Sequence, residues 1–456
     1  MNFDKEMLLE KGRFVLKTAE KLGATQTEVT VGIQNSALTR LANSIIDQNV
    51  AEHHATIQTI IYVGKKKGST YVEVIDNDSI RKAVENAIKI AKMSPDDKDF
   101  QSLPGALPYN SIPIEDLVSK NTMNTTPEQR AEHAKMVIDT AHSVDDRIKA
   151  VAGAISHGIG ERVILNSLGV EAYDARTYAN VNLTILAEDG KEQTAGWYAD
   201  NNTDFGKLHF KEVAEIAARK AAEGFGMKAI EPRDYEVVLE PAALSGLLVY
   251  IAYFGFSALM YQEYISFLRD KIGTKLFSEK FNLWDDALDE RTTFRTFFDD
   301  EGFPKSKIDL VENGIIKNLA YDSYTAGRDN KLSTGHHNKE EGHSLPFPNN
   351  MFVGEGDSNL NEMISETKDG LLITHFHYQN AVNPTEGIFT ALTRDGTWKI
   401  EKGEVKYPVR TLRFTDAAPR FLGRIDLLGT YPKINASTFK VPTIKLPSFR
   451  ISSIQK

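Results

Sequence analysis

The histidines are the residues of this chain whose spacing most invites a chemical reading. His375-Phe376-His377 sets two imidazoles at i and i+2, on one face of a strand. Such a pair can hold a metal ion once a third and fourth ligand arrive from elsewhere. His336, His337 and His343, in the irregular stretch 332–357, could supply those ligands if the fold brings the two segments together. Spacing alone completes no site, so loop and sheet-surface histidines are the plainer reading. His53 and His54 are adjacent and would point to opposite faces of a strand. A helical zinc centre needs two histidines about a turn apart with a Glu beside them as base. None occurs between His209 and His336, and the chain's most apolar helical stretch offers only Glu263, at its wet end.

Other chemistries find less support. Asp299-Asp300-Glu301-Gly302 gathers three carboxylates, which could attract Ca²⁺ or Mg²⁺. The spacing is not that of an EF-hand, and an acidic turn between strands is expected. Ser156-His157-Gly158-Ile159-Gly160 suggests a nucleophile, but no triad order accompanies it and its glycines predict a hairpin turn. No phosphate-binding loop, dinucleotide fingerprint or Gly-x-Ser-x-Gly elbow is present. The absence of cysteine excludes disulfides, thiolate-held zinc and thiol nucleophiles, and fits a cytoplasmic protein. A net charge of −9 without a basic block argues against nucleic-acid or anionic-membrane binding.

The elements that must position these residues divide the chain in two. At 456 residues, with 41% apolar and 26% charged, it is a soluble globular composition too long for one ordinary core. The charged N-terminus has no continuous apolar run and is not read as a signal peptide. Residues 6–22 predict an amphipathic helix, 28–33 a strand, and two strands follow around a turn at 64–68. A helix over 79–93 is expected with Asp78 or Ser79 as cap. The proline-rich stretch 94–114 connects this to a second set. There Thr126-Pro127-Glu128-Gln129 forms a capping box, with a helix to about 143. Strands at 148–157, 161–166, 170–187 and 193–198 and a helix over 210–224 complete that set. The order helix, strands, helix thus occurs twice, as a duplicated unit would give, although residue-level similarity is weak.

From 233 onward the texture changes. Residues 235–277 read as a strand and a long helix, with no charge between Glu240 and Glu263. The run 241–262 meets the ~20 residues a membrane span needs. Its three tyrosines, two serines and two glycines, with acidic flanks, place it as a buried helix instead. Residues 294–324 predict strand, turn, strand around Glu312-Asn313-Gly314, and the remainder alternates as strands. The expectation is an α+β protein of two domains. The first, 1–228, is helix and antiparallel sheet; the second, 229–456, is β-rich around one central buried helix.

Several stretches together resemble the TldD/PmbA family, also named modulator of DNA gyrase. In the first half these are LTRLANSIIDQN and VILNSLGVEAYDARTYANVNLTILAEDG; in the second, DYEVVLEPAALSGLL, SFLRDKIGTKLFS, DDEGFPKSKIDLVENGIIKNLAYDSYTAGR, LSTGH, NPTEGIF and IEKGEVKYPV. No single motif decides the resemblance; their order and spacing do.

The resemblance implies a dimeric two-domain protein of one of two branches. TldD-like chains carry a helical His-Glu-x-x-x-His zinc motif with a Cys ligand and act as metallopeptidases. PmbA-like chains, also called TldE, lack the motif and serve as the partner subunit. Aligned on Gly246-Leu247-Leu248, the motif positions here hold Val249, Tyr250 and Phe254; aligned on Gly273-Thr274 they hold Ala258, Leu259 and Glu263. Neither register gives a pair of histidines, and there is no Cys. The expectation is a zinc-free, PmbA/TldE-like subunit with no catalytic residue or metal of its own. It would pair with a zinc-bearing TldD-like chain, act on unstructured peptides, and use neither nucleic acid nor membrane. Two alternatives stand beside it. One is an active metallopeptidase with a site relocated to His336, His337, His343, His375 and His377. The other is a homodimeric peptide-binding or scaffold protein without enzymatic activity.

Overall fold

The computed structural model describes residues 4–340, 343–434 and 436–454. Its first half is built on long antiparallel strands. Helix α1 (Lys5–Lys21) leads into β1 (Gln26–Ala42), β2 (Ile45–Val63), β3 (Lys66–Val72) and α2 (Asn77–Met93). Helix α3 (Pro127–Val144) then leads into β4 (Ile148–Asn166), β5 (Glu171–Glu188), β6 (Gln193–Asn202) and α4 (Phe210–Ala222). The six strands form one sheet in the order β3-β2-β1-β4-β5-β6, so two three-stranded meanders join through β1 and β4.

The repeated order therefore corresponds to two like units, and a shared packing device supports it. A Cβ on Gly68 of β3 would lie 2.0 Å from Ala87 O and 2.5 Å from Ala91 N of α2. A Cβ on Gly196 of β6 would lie 2.0 Å from Ala217 O and 2.6 Å from Ala221 N of α4. In each unit a glycine on the edge strand lets the closing helix approach by its alanines, four residues apart.

Strand alternation decides what each sheet face does. Val29 and Val31 of β1, Ile57 and Ile61 of β2, and Val163 and Leu165 of β4 pack with α1 and α2. Leu41, Val151, Ile155, Val181, Leu183 and Ile185 pack with α3 and α4. The odd-numbered positions of β1 and β4 thus lie under helices. Their even-numbered neighbours, including Arg162 and on β5 Asp174 and Arg176, face the second half of the chain.

Several expectations are corrected here. The turn expected at Ser156–Gly160 is the interior of β4, paired on both sides. Gly158 serves close approach there, since a Cβ would stand 2.4 Å from Asn35 O and 2.8 Å from the Tyr178 ring. The strands expected at 28–33, 148–157 and 161–166 are parts of much longer ones. Asn43 and Ser44, both with positive φ, turn the chain from β1 to β2. The cap of α2 is Asp76, whose carboxylate accepts from Asp78 N and Ser79 N. The capping box at Thr126 forms as read.

The second half holds a nine-stranded mixed sheet among the described residues. Its strands are β7 (Asp234–Leu239), β8 (Asp369–Ile373), β9 (Phe376–Asn383), β10 (Ile388–Thr393), β11 (Thr397–Glu401), β12 (Glu404–Pro408), β13 (Leu412–Ala417) and β14 (Ile444–Ile454). They run in the order β9-β10-β13-β14-β7-β8-β11-β12, and Leu427–Leu428 pairs with β14. Only β7 and β8 run parallel. The main core gathers around a stack of Phe376, Phe414, Phe421 and Phe449. A smaller sheet comprises Leu283–Asp285, Ile308–Glu312, Ile315–Ile316 and Met351–Val353. Of the strands expected over 294–324, only the pair around Asn313-Gly314 forms.

The long helix expected after β7 is broken. Helix α5 (Pro241–Ile251) passes into a π-helical turn at Ala252–Phe256, then an extended Ser257, then α6 (Ala258–Gln262). The break has visible causes. Ala320 takes over backbone pairing, accepting from Ala258 N at 3.0 Å and donating to Phe256 O at 2.8 Å. Ser266 Oγ donates to Gly255 O at 2.8 Å, and the Phe267 ring sits where a Cβ on Gly255 would be. Among the described residues no helix is long and apolar enough to cross a membrane.

Candidate functional site

Two regions carry most of the residues singled out by the sequence. The first is α5 with its π turn. Its packing face is apolar: Leu244, Leu247, Leu248 and Ile251 are all buried in the core. A π turn closes hydrogen bonds between residues five apart, and such turns are frequent at functional sites. Of the residues in the first register, Val249 is 40% exposed, while Tyr250 and Phe254 are half-buried. Tyr250 Oη donates to Gln379 O of β9 at 2.7 Å, and both rings lean on Phe389. In the second register Ala258 is buried, Leu259 half-buried, and Glu263 is exposed and paired with Arg328 at 2.7 Å. One phenol in the first set, and one arginine-paired carboxylate in the second, do not fit a zinc ion that requires imidazole, thiolate or several carboxylates.

The second region is the seam between the two halves, centred on the acidic turn. Asp299, Asp300 and Glu301 are not a solvated turn; each carboxylate accepts hydrogen bonds from elsewhere in the fold. Asp299 Oδ1 accepts from Glu301 N at 3.1 Å and Phe303 N at 2.9 Å, and its Oδ2 accepts from His337 N at 2.9 Å. Asp300 meets Arg162 Nη1 at 2.6 Å and accepts from Lys339 N at 2.9 Å. Glu301 Oε1 accepts from Ser323 N at 2.8 Å and Oγ at 2.7 Å. The turn therefore ties β4 of the first half to the second half. Tyr109 Oη donating to Gly302 O at 2.7 Å and a Lys339–Glu28 ion pair add to the seam.

The histidines of 332–357 belong to this network. His336 is fully buried, with Nδ1 2.9 Å from Thr334 Oγ1 and Nε2 3.1 Å from Asp285 Oδ1. His337 sits between Asp322 Oδ2 and Ser344 Oγ, each at 3.0 Å. Burial alone would lower its pKa, but the Asp322 hydrogen bond and the Glu301 charge outweigh that and push it up to about 9. Burial, then the Asp299 charge, push Glu301 up to about 8. The backbone of His343 pairs with Glu340 in a small ribbon, and its side chain lies outside the described residues.

His375 and His377 go elsewhere. His375 stacks on Trp197 of β6 with ring centroids 4.2 Å apart and places Nδ1 3.3 Å from Asp395 Oδ2. His377 lies half-buried against Tyr378. Among the described residues no three His, Asp or Glu side chains form a group able to hold a metal ion. A cleft of about 630 Å³ opens beside the acidic turn, between it and the polar face of the first sheet. Of its residues, Asp174, Arg176 and Lys305 fall within stretches that carry the family resemblance, but nothing local marks them as a site, and strand parity on β4 and β5 hints only at Arg162, Asp174 and Arg176.

Comparison with known proteins gives this geometry its family. Residues 123–224 match the family model described as the PmbA/TldA metallopeptidase central domain, and 232–453 match its C-terminal domain. The chain belongs to the PmbA/TldD metallopeptidase family. It is 26% identical to a metalloprotease TldD homolog of Haemophilus influenzae, covering 80% of this chain and 77% of that one. It is 25% identical to a metalloprotease PmbA homolog of the same organism, covering 87% and 85%. The crystal structure of TldE from Thermococcus kodakarensis has the same fold, with a TM-score of 0.87 at 23% identity over 97% of this chain and 100% of that one. The near-equal identity to TldD and PmbA homologs leaves the branch to the residues on α5.

Proposed function

We propose that this chain is the PmbA/TldE-like, zinc-free subunit of a cytoplasmic heterodimeric peptidase. A TldD-like chain would contribute the zinc and the hydrolytic step on unstructured peptides. The observation that carries this reading is the donor set on α5. The π turn favours the register in which Val249 and Phe254, five apart, occupy the two histidine positions, with Tyr250 at the glutamate. Tyr250 and Phe254 lean on Phe389 of β10, Val249 is exposed, and none of the three is an imidazole, thiolate or carboxylate. In this reading the chain has two domains that part near residue 228. The second helps enclose a peptide chamber, where peptide adds to a strand edge through main-chain hydrogen bonds.

The test is metal analysis and peptidase assay of the purified chain, alone and mixed with a TldD-like partner from the same source. The expected result is no stoichiometric zinc and no hydrolysis alone, with chelator-sensitive hydrolysis in the mixture. Chelator-sensitive hydrolysis by the chain alone overturns the proposal.

A further inference from the structure

The cleft at the seam is lined by a buried lysine. Lys305 is 5% exposed, and its Nζ has no hydrogen-bond partner among the described residues. Its backbone is fixed: Lys305 N donates to Phe297 O at 3.0 Å, and Gly335, at φ +74°, comes so close that a Cβ would stand 2.3 Å from Pro304 O. The cleft's other cations are engaged, Arg162 with Asp300, Arg176 with Asp174 and Lys339 with Glu28. Asp285 and Asp299 are the carboxylates whose charge reaches Lys305, and both already accept from other donors. An ammonium held out of water without an acceptor is costly, and its place on a cleft wall gives that cost a use.

We propose that this cleft binds the carboxylate of a peptide, with Lys305 Nζ as the group that receives it. Carboxylate is favoured over phosphate because Glu161, Asp174, Asp299 and Asp300 also line the cleft and would repel a dianion. On the sheet wall Asp174 Oδ1 is likewise buried without a donor among the described residues, which suits an amide N–H of the same ligand. A volume of about 630 Å³ admits a few residues. The carboxylate follows from Lys305; the choice of a peptide to carry it rests on the peptidase-family reading above. The carboxylate can come from a C-terminus or from an acidic side chain.

Calorimetric titration of the full chain with Ala-Ala-Ala, its C-terminal amide, and acetyl-Ala-Glu-Ala-amide tests this and separates the two sources. One of the two carboxylate peptides binds at least tenfold more tightly than Ala-Ala-Ala-amide, and Lys305→Met, shown folded by its melting curve, abolishes the difference. In the unmutated chain the binding peptide slows hydrogen exchange over 294–305. Equal affinity for all three peptides, no binding by any of them, or protection confined to other segments overturns the inference, even if the Lys305 variant does not fold. A chain that activates a TldD-like partner yet fails these tests sinks this inference alone. Carboxylate-selective binding without activation sinks the heterodimer reading alone.

Discussion

Arg162 Nη1 on β4 stands 2.6 Å from Asp300 Oδ1 on the acidic turn, across the seam between the two halves. Both side chains are about a quarter exposed, so the pair lies between a surface ion pair, worth up to ~1 kcal/mol, and a buried one, whose breaking costs ~3–5 kcal/mol. Asp300→Asn is expected to cost about 2 kcal/mol in denaturant unfolding, between those limits. Arg162→Met costs more, because it also strips a cation from beside Asp174. A loss below ~0.5 kcal/mol for both would count the pair as a surface contact.

Gly68 and Gly196 are expected to tolerate no side chain. Alanine at either position drives a Cβ onto a helix backbone oxygen at 2.0 Å, and neither partner is a flexible side-chain end. Each substitution should lower stability by about 1–3 kcal/mol, the usual range for overpacking. Similar losses at the two sites, read from urea midpoints, support the equivalence of the two units.

Stability should fall on the alkaline side through the seam. His337 is raised to about 9, above the ~6.5 of a free imidazole, so its contribution is complete below 6.5 and lost as pH rises through 9. Glu301, held up to about 8, acts in the same direction, because between ~4.5 and 8 the folded chain keeps a proton that the unfolded chain has released. Melting temperatures measured at pH 6, 7.5 and 9.5 should decline in that order, and His337→Gln should flatten the decline. On the acid side His157, pulled down to about 4 by burial and then by Arg130, should cost stability as pH falls from 6.5 towards 4.

The π turn makes the helix register testable by grafting. Val249→His, Tyr250→Glu and Phe254→His together should raise zinc affinity at least tenfold over the parent chain, measured by competition with a chromogenic chelator. Ala258→His, Leu259→Glu and Glu263→His should not. The first graft also removes the Tyr250–Gln379 hydrogen bond, at a cost of about 1 kcal/mol. Higher affinity from the second graft than from the first reverses the register.

The sequence by itself determined what depends on local spacing and on residue identity. Helices α1 to α4, the capping box at Thr126 and the turn at Asn313-Gly314 follow from periodicity and cap chemistry, which act over a few residues. The family follows from the order of short motifs, and the lack of any cysteine, and of any histidine between His209 and His336, is read from residue type alone. What only the tertiary structure decided depends on contacts distant in sequence. The apolar run after β7 reads as one helix, yet Ala320 and Ser266 capture its backbone groups and bend it through a π turn. Ser156–Gly160 has the residues of a turn, but pairing with β1 and β5 on both sides keeps it extended. The acidic turn looks solvated or metal-binding until Arg162, Lys339, His337 and Ser323 arrive to occupy its oxygens. Lys305 lies in the stretch that opens DDEGFPK, but nothing local marks it; only the fold shows its ammonium buried without a hydrogen-bond partner among the described residues.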